Sequence, residues 1–121
     1  MTLRRATVDD VQALVQLAQV EHGQSRMAHT LFDHAFVAER FTAAVMGLSS
    51  VVFVSETEGA VKGLIAGAVQ QNLHNRYGTV YELMWFAVDG SGLKLLQALR
   101  DWARRMRATA LIANNHAGIK D

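Results

Sequence analysis

Neither cysteine nor proline occurs among the 121 residues. Without thiols there is no disulfide scaffold, no thiolate zinc site and no cysteine nucleophile. The absence fits a reducing compartment, and a cytoplasmic protein is expected. Without proline, every turn has to be made by Gly, Asn, Asp or Ser. Neither sign of charge dominates: 12 Lys and Arg against 11 Asp and Glu leave a net charge of +1. That field is too weak to argue for a nucleic-acid partner. The basic residues that do cluster, Arg100, Arg104, Arg105 and Arg107, read as a solvated helix face. Long hydrophobic runs are missing too. The longest uncharged stretch, Phe41 to Ser55, is too short and too rich in Gly and Ser to span a bilayer. Arg4-Arg5 is followed by Thr7-Val8-Asp9-Asp10 and not by the apolar segment of a secretory signal. No membrane partner is expected.

What is present suits one packed domain over residues 1–121. Half the residues are hydrophobic, and a chain of this length buries roughly two thirds of its unfolded surface. Leu3 to Ala6 reads as a short edge strand. Thr7 then resembles an N-cap, with Asp9 and Asp10 in the first turn where the helix dipole favours them. Val8, Val11, Leu14, Val15 and Ala18 recur at helical spacing, so the first helix should run to about His22 and stop at Gly23. Asp33 is placed to cap a second helix through Phe36, Val37, Arg40, Phe41 and Val45, ended by Gly47. Val51 to Ser55 and Ala60 to Gln71 read as two strands joined by a turn at Glu56-Thr57-Glu58-Gly59. Gly63 and Gly67 inside the second of these predict a bulge or a close backbone approach. Val80 to Val88 is the next strand, Leu93 to about Arg107 the third helix, and Ala108 to Ala113 the last strand. Leu95, Leu96, Leu99, Trp102, Ala103 and Met106 make the core face of that helix. The order is β-α-α-β-β-β-α-β, an α/β (α+β) mixed sheet with helices on both faces. Strands joined by short turns should be antiparallel, and the last should run parallel to its predecessor through a helical crossover.

The richest stretch is Thr79 to Met106. A strand feeds the turn Asp89-Gly90-Ser91-Gly92, which opens into a helix at Leu93. Glycines let a ligand approach the backbone, the first helical N–H groups lack internal partners, and the helix dipole favours an anion. Gly90, Ser91, Gly92 and Leu93 are therefore candidate phosphate-binding residues; the alternative is a tight turn with no ligand. Glu82 is the single carboxylate in the strand that leads there. Regular alternation puts it on one face with Val80, Met84 and Phe86, where it should be partly buried, and puts Tyr81, Leu83, Trp85 and Ala87 on the other. Glu82 is either a general base or a structural carboxylate facing solvent or an arginine. The five histidines lack a metal-ligand spacing, and no metal is expected.

Taken together, these segments resemble the GNAT superfamily of acyl-CoA-dependent N-acyltransferases. Leu3-Arg4-Arg5-Ala6-Thr7 with Asp9-Asp10 and Leu14 resembles the opening strand and helix. Gly59 with Val61-Lys62-Gly63-Leu64-Ile65-Ala66-Gly67 resembles its hairpin. Tyr81-Glu82-Leu83 with Val88 resembles the fourth strand, and Leu95-Leu96 with Leu99 and Trp102-Ala103 resembles the helix after the CoA loop. The loop is shorter than the family's and lacks its opening basic or amide residue. The resemblance also implies a thiolate-protonating tyrosine and, after Asn114, a further helix and closing strands; the domain is expected to lack them.

The resemblance implies acetyl-CoA, or coenzyme A more generally, as co-substrate and a small-molecule or peptide amine as acceptor. It places the base at Glu82, backbone donors to the acyl group at Ala87 and Val88, pyrophosphate at Gly90 to Leu93, and a further CoA contact at Asn114. The acceptor side is expected between Glu21 and His34. An uncovered last strand is a pairing liability, so a homodimer that covers it is a further expectation. The alternative to an enzyme is a binding or regulatory module that docks a partner through that open sheet edge.

Overall fold

A computed structural model describes residues 1–113. Its elements in chain order are β1 (Thr2–Arg5), a short 3-10 turn (Val8–Asp10), α1 (Val11–Gln24), α2 (His34–Met46), β2 (Ser50–Thr57), β3 (Ala60–Gln71), β4 (Gly78–Ala87), α3 (Gly92–Arg105) and β5 (Ala108–Ile112). The strands form one sheet in the order β1-β2-β3-β4-β5. The first three pairings are antiparallel, and β5 joins β4 in parallel after the α3 crossover.

Local chemistry explains most of the boundaries. Glu58 (φ 52°) and Gly59 (φ 80°) both take the left-handed region, the conformation that a two-residue hairpin turn needs to match strand twist. The Asp33 carboxylate accepts the Phe36 N–H at 3.0 Å and starts α2. Gly23 does not stop α1. The helix runs through it to Gln24, and Ser25 closes it, its N–H and its hydroxyl both donating to the His22 carbonyl. A polar side chain thus terminates the helix without a left-handed glycine. Met106, expected on the α3 core face, lies past the helix end and is exposed.

The sheet has a core on each face. Leu14, Val15 and Ala18 of α1 and Phe41 of α2 pack on Val52, Val54, Leu64 and Phe86. Leu95, Leu99 and Trp102 of α3 pack on Val51, Phe53, Ile65, Val80 and Trp85 on the other side. Among the described residues no helix is long and apolar enough to cross a membrane.

One charged clasp holds the β1 edge. The Arg4 guanidinium makes two hydrogen bonds to Asp10, at 2.8 and 2.9 Å, and a third to Glu56 at 3.1 Å. The bonded Arg4 side chain, aided by the Thr7 N–H and opposed by burial, holds the Asp10 carboxyl below the usual carboxylate range. A depressed pKa stabilises the fold above the unfolded value, about 3.9, and the contribution disappears as pH falls through the folded value. Asp10→Asn is therefore expected to cost about 1–3 kcal/mol at pH 7. Denaturant melts at pH 7 and at pH 3 should show the gap between variant and parent narrowing in acid.

Candidate active site

β4 is paired on both sides along only part of its length. It follows β3 from Gln71↔Gly78 to Gly63↔Ala87, whereas β5 matches it only from Gly78 to Tyr81. Among the described residues no strand pairs with the outer edge of β4 from Leu83 to Ala87, and there the sheet forks. The Val88 N–H donates to the Lys62 carbonyl at 2.9 Å. By strand alternation the backbone groups of Val88 and Phe86 then face β3, and those of Ala87 and Trp85 face the open side. Of the two donors expected at this strand end, Ala87 is the one aimed outward, while the Val88 N–H is already engaged.

Regular alternation fails in the middle of β4. Ala66 pairs with Met84 but Gly67 pairs with Glu82, which leaves Leu83 as an extra residue. Leu83 and Met84 both line one groove together with Ala66, the two-against-one arrangement of a β-bulge. The expected grouping of Glu82 with Met84 and Phe86 is thereby corrected. Met84 and Phe86 pack on the α1–α2 side. Glu82 instead stands opposite Gly67, where a Cβ would lie 2.7 Å from Leu99 of α3. It belongs with Val80 and Trp85 on the α3 side, and it is half-buried there.

The turn after β4 is organised by a residue that sequence reading passed over. Asp89 accepts the Ser91 N–H at 3.1 Å and the Ser91 hydroxyl, and its second oxygen accepts the Ser55 hydroxyl at 2.9 Å. Burial works to raise the Asp89 pKa, but the donors from Ser91 and Ser55 outweigh it and hold the carboxyl below its ordinary value. The signal was available, since Asp-x-Ser is the pattern of an Asx turn. Ser91 is fully buried and gives α3 no side-chain cap, and its N–H is taken by Asp89. Gly90 is exposed, with φ 78°. The Gly92 carbonyl accepts the Trp85 indole N–H at 3.0 Å, and Leu93 faces solvent. The first i→i−4 bond of α3 is Leu95 N–H to Ser91 O, so the amides of Gly92, Leu93 and Lys94 precede any intrahelical bond. Asn114 lies outside the described residues.

Gly63 leaves room for this network. A Cβ there would sit 2.7 Å from Ser55 Oγ, 2.8 Å from Ser91 Oγ and 2.9 Å from Ala87 Cβ. Both serines are fully buried, so neither can swing aside cheaply. Gly63→Ala is expected to destabilise by about 1–3 kcal/mol, as read from chemical denaturation.

On the opposite face of β4 lies a groove of about 340 Å³. Phe36, Val37 and Phe41 of α2 line one wall, and Leu83 and Met84 line the other. The segment from Glu21 to His34, expected to line the acceptor side, contributes nothing to it. Two of its histidines instead pack around Phe32, with ring centroids 5.3 Å (His22) and 4.9 Å (His34) away.

No family model and no curated protein matches the sequence. Solved structures share the fold. A tetramutant of the BH1408 protein from Bacillus halodurans is 22% identical with a TM-score of 0.78, over 96% of this chain and 83% of that one. An aminoglycoside acetyltransferase from an uncultured soil metagenomic sample, in complex with sisomicin, is 15% identical with a TM-score of 0.71, over 93% and 76% of the two chains. A second aminoglycoside acetyltransferase from such a sample is 12% identical with a TM-score of 0.67, over 94% and 80%. At these identities the likeness carries the fold alone, a five-stranded mixed sheet with helices on both faces.

Proposed function

We propose that this chain transfers an acetyl group from acetyl-CoA to a primary amine by direct attack. The observation that carries the reading is the fork in the sheet. Among the described residues no strand pairs with the outer edge of β4 from Leu83 to Ala87, which follows directly on the strand's one carboxylate. Such an edge offers backbone donors to an acyl carbonyl without competition from a neighbouring strand. The chain's own residues fit a phosphorylated donor at the next turn, because three amides of α3 are uncapped and Lys94 stands in the same turn. The Asp89 oxygens are already engaged by Ser55 and Ser91, so its charge is tied to the protein side of the turn.

In this reading Glu82, directly or through a water, takes the proton that the attacking amine must lose. The outward N–H of Ala87 steadies the carbonyl oxygen as it gains charge. The new C–N bond forms as the C–S bond breaks, and the departing thiolate takes a proton from solvent. The four-residue turn is short for a pyrophosphate, which predicts weak but pantetheine-dependent binding.

Calorimetric titration of acetyl-CoA and CoA into the purified chain tests this, with desulfo-CoA and ATP as controls. Saturable binding that requires the pantetheine arm supports the reading and justifies a screen of amines. No binding at millimolar ligand overturns it in favour of a non-catalytic module docked through the open edge.

A further inference from the structure

The α2 groove carries a chemical signature of its own. Seven of its eight lining residues are apolar, and the eighth is Arg40. Phe36, from α2, and Leu83, from β4, are 54% and 48% exposed. Large apolar side chains left half open beside a pocket of ligand size point to an absent apolar occupant. Arg40 adds a demand of a different kind. Among the described residues it has no carboxylate partner, and its guanidinium lies over the Phe36 ring, 5.8 Å from the centroid. A guanidinium held against an aromatic face at the lip of an apolar groove, with no acid to neutralise it, is complementary to a carboxylate.

We infer that the groove takes the acceptor, and that the acceptor is a primary amine with an apolar, ring-sized body and a carboxylate that reaches Arg40. This rests on the acetyl-transfer reading and adds the substrate class to it. The two ends of such a molecule match the two walls. Arg40 stands on the helix wall, while Leu83 and Met84, on the strand wall, begin the open edge of β4, and the amine reaches Glu82 on the α3 face across that edge. The groove lining contains no acidic residue, so it is poorly suited to a polycationic aminoglycoside of the kind named for the structural neighbours. The volume of about 340 Å³ is at the small end for a ligand pocket, which suits one ring with short substituents.

The test compares matched ligands that differ in the carboxylate alone. Para-aminomethylbenzoate and para-aminomethylbenzamide form one pair, L-phenylalanine and phenethylamine the other. Each is titrated into the full chain by calorimetry or ligand-observed NMR without acetyl-CoA. In at least one pair the carboxylate is expected to bind about tenfold or more tightly than its partner. Arg40→Gln should erase that preference and Arg40→Lys retain part of it. Arg40 is exposed on α2, and circular dichroism of both variants verifies that the helix is intact. If the uncharged partner binds as well as the carboxylate in both pairs, or if no ligand binds, the assignment is overturned. So is it if Arg40→Gln keeps the preference. Because acetyl-CoA is absent, failure here with donor binding intact removes the acceptor class and leaves the acetyl-transfer reading standing, whereas loss of donor binding removes the latter by itself.

Discussion

Glu82→Gln is expected to lower the turnover of the best amine acceptor by about 100-fold or more, with donor binding unchanged within about twofold. Glutamine keeps the shape and part of the hydrogen bonding but cannot take a proton, so the loss should fall on kcat. The position of the residue sets the size of the effect. It is half-buried on the α3 side, at the point where β5 leaves β4, and β4 carries no other carboxylate to replace it. Steady-state kinetics with the amine that performs best in a panel reads the outcome directly. If kcat is unchanged, the carboxylate is structural and the base lies elsewhere.

The second large effect concerns Trp85. Its ring is 6% exposed in the α3-side core, and its indole N–H holds the Gly92 carbonyl at the start of α3. Trp85→Ala is expected to cost about 3–5 kcal/mol through the cavity it leaves. It should also free the turn from the strand, so donor affinity should fall at temperatures where the variant is still folded. Trp85→Phe separates the two contributions. It keeps most of the packing and loses one hydrogen bond, with an expected cost of about 0.5–1.5 kcal/mol from the bond, plus a small packing term. Urea unfolding of the three proteins measures the stabilities, and calorimetry on the folded variants measures the donor affinity. Equal stability of Trp85→Ala and the parent would contradict the packing described here.

The elements were legible in the sequence because each carries a local cause. Helical periodicity from Val11 to Ala18, the Asp33 cap and the Glu58-Gly59 turn all act within a few residues. The parallel last strand followed from the helix before it. The site was less legible because its decisive features are long-range. Leu83 is as good a strand residue as its neighbours, so nothing in β4 announces the bulge. The trace lay on the facing strand, in Gly67, which lets Leu99 approach. The role of Asp89 depends on Ser55, which is 34 residues away in sequence. The groove could not be read from the Glu21 to His34 segment because its walls come from α2 and from the far side of the bulge.

The extra residue in β4 also makes the chain's tolerance depend on the kind of change made to it. Leu83 is 48% exposed, and replacing it with another strand former alters one wall of a groove and little else. Deleting it would restore an unbroken two-residue phase along β4 while the hairpin to β3 and the crossover to β5 still fix both ends. Glu82 and Met84 would become consecutive partners of Gly67 and Ala66, with Trp85 and Phe86 on the faces they already hold, and the strand would lose the local bend that the bulge gives it. Codon substitutions at this position therefore retune the groove, whereas in-frame loss of the same codon removes part of its strand wall and leaves the register of the sheet intact.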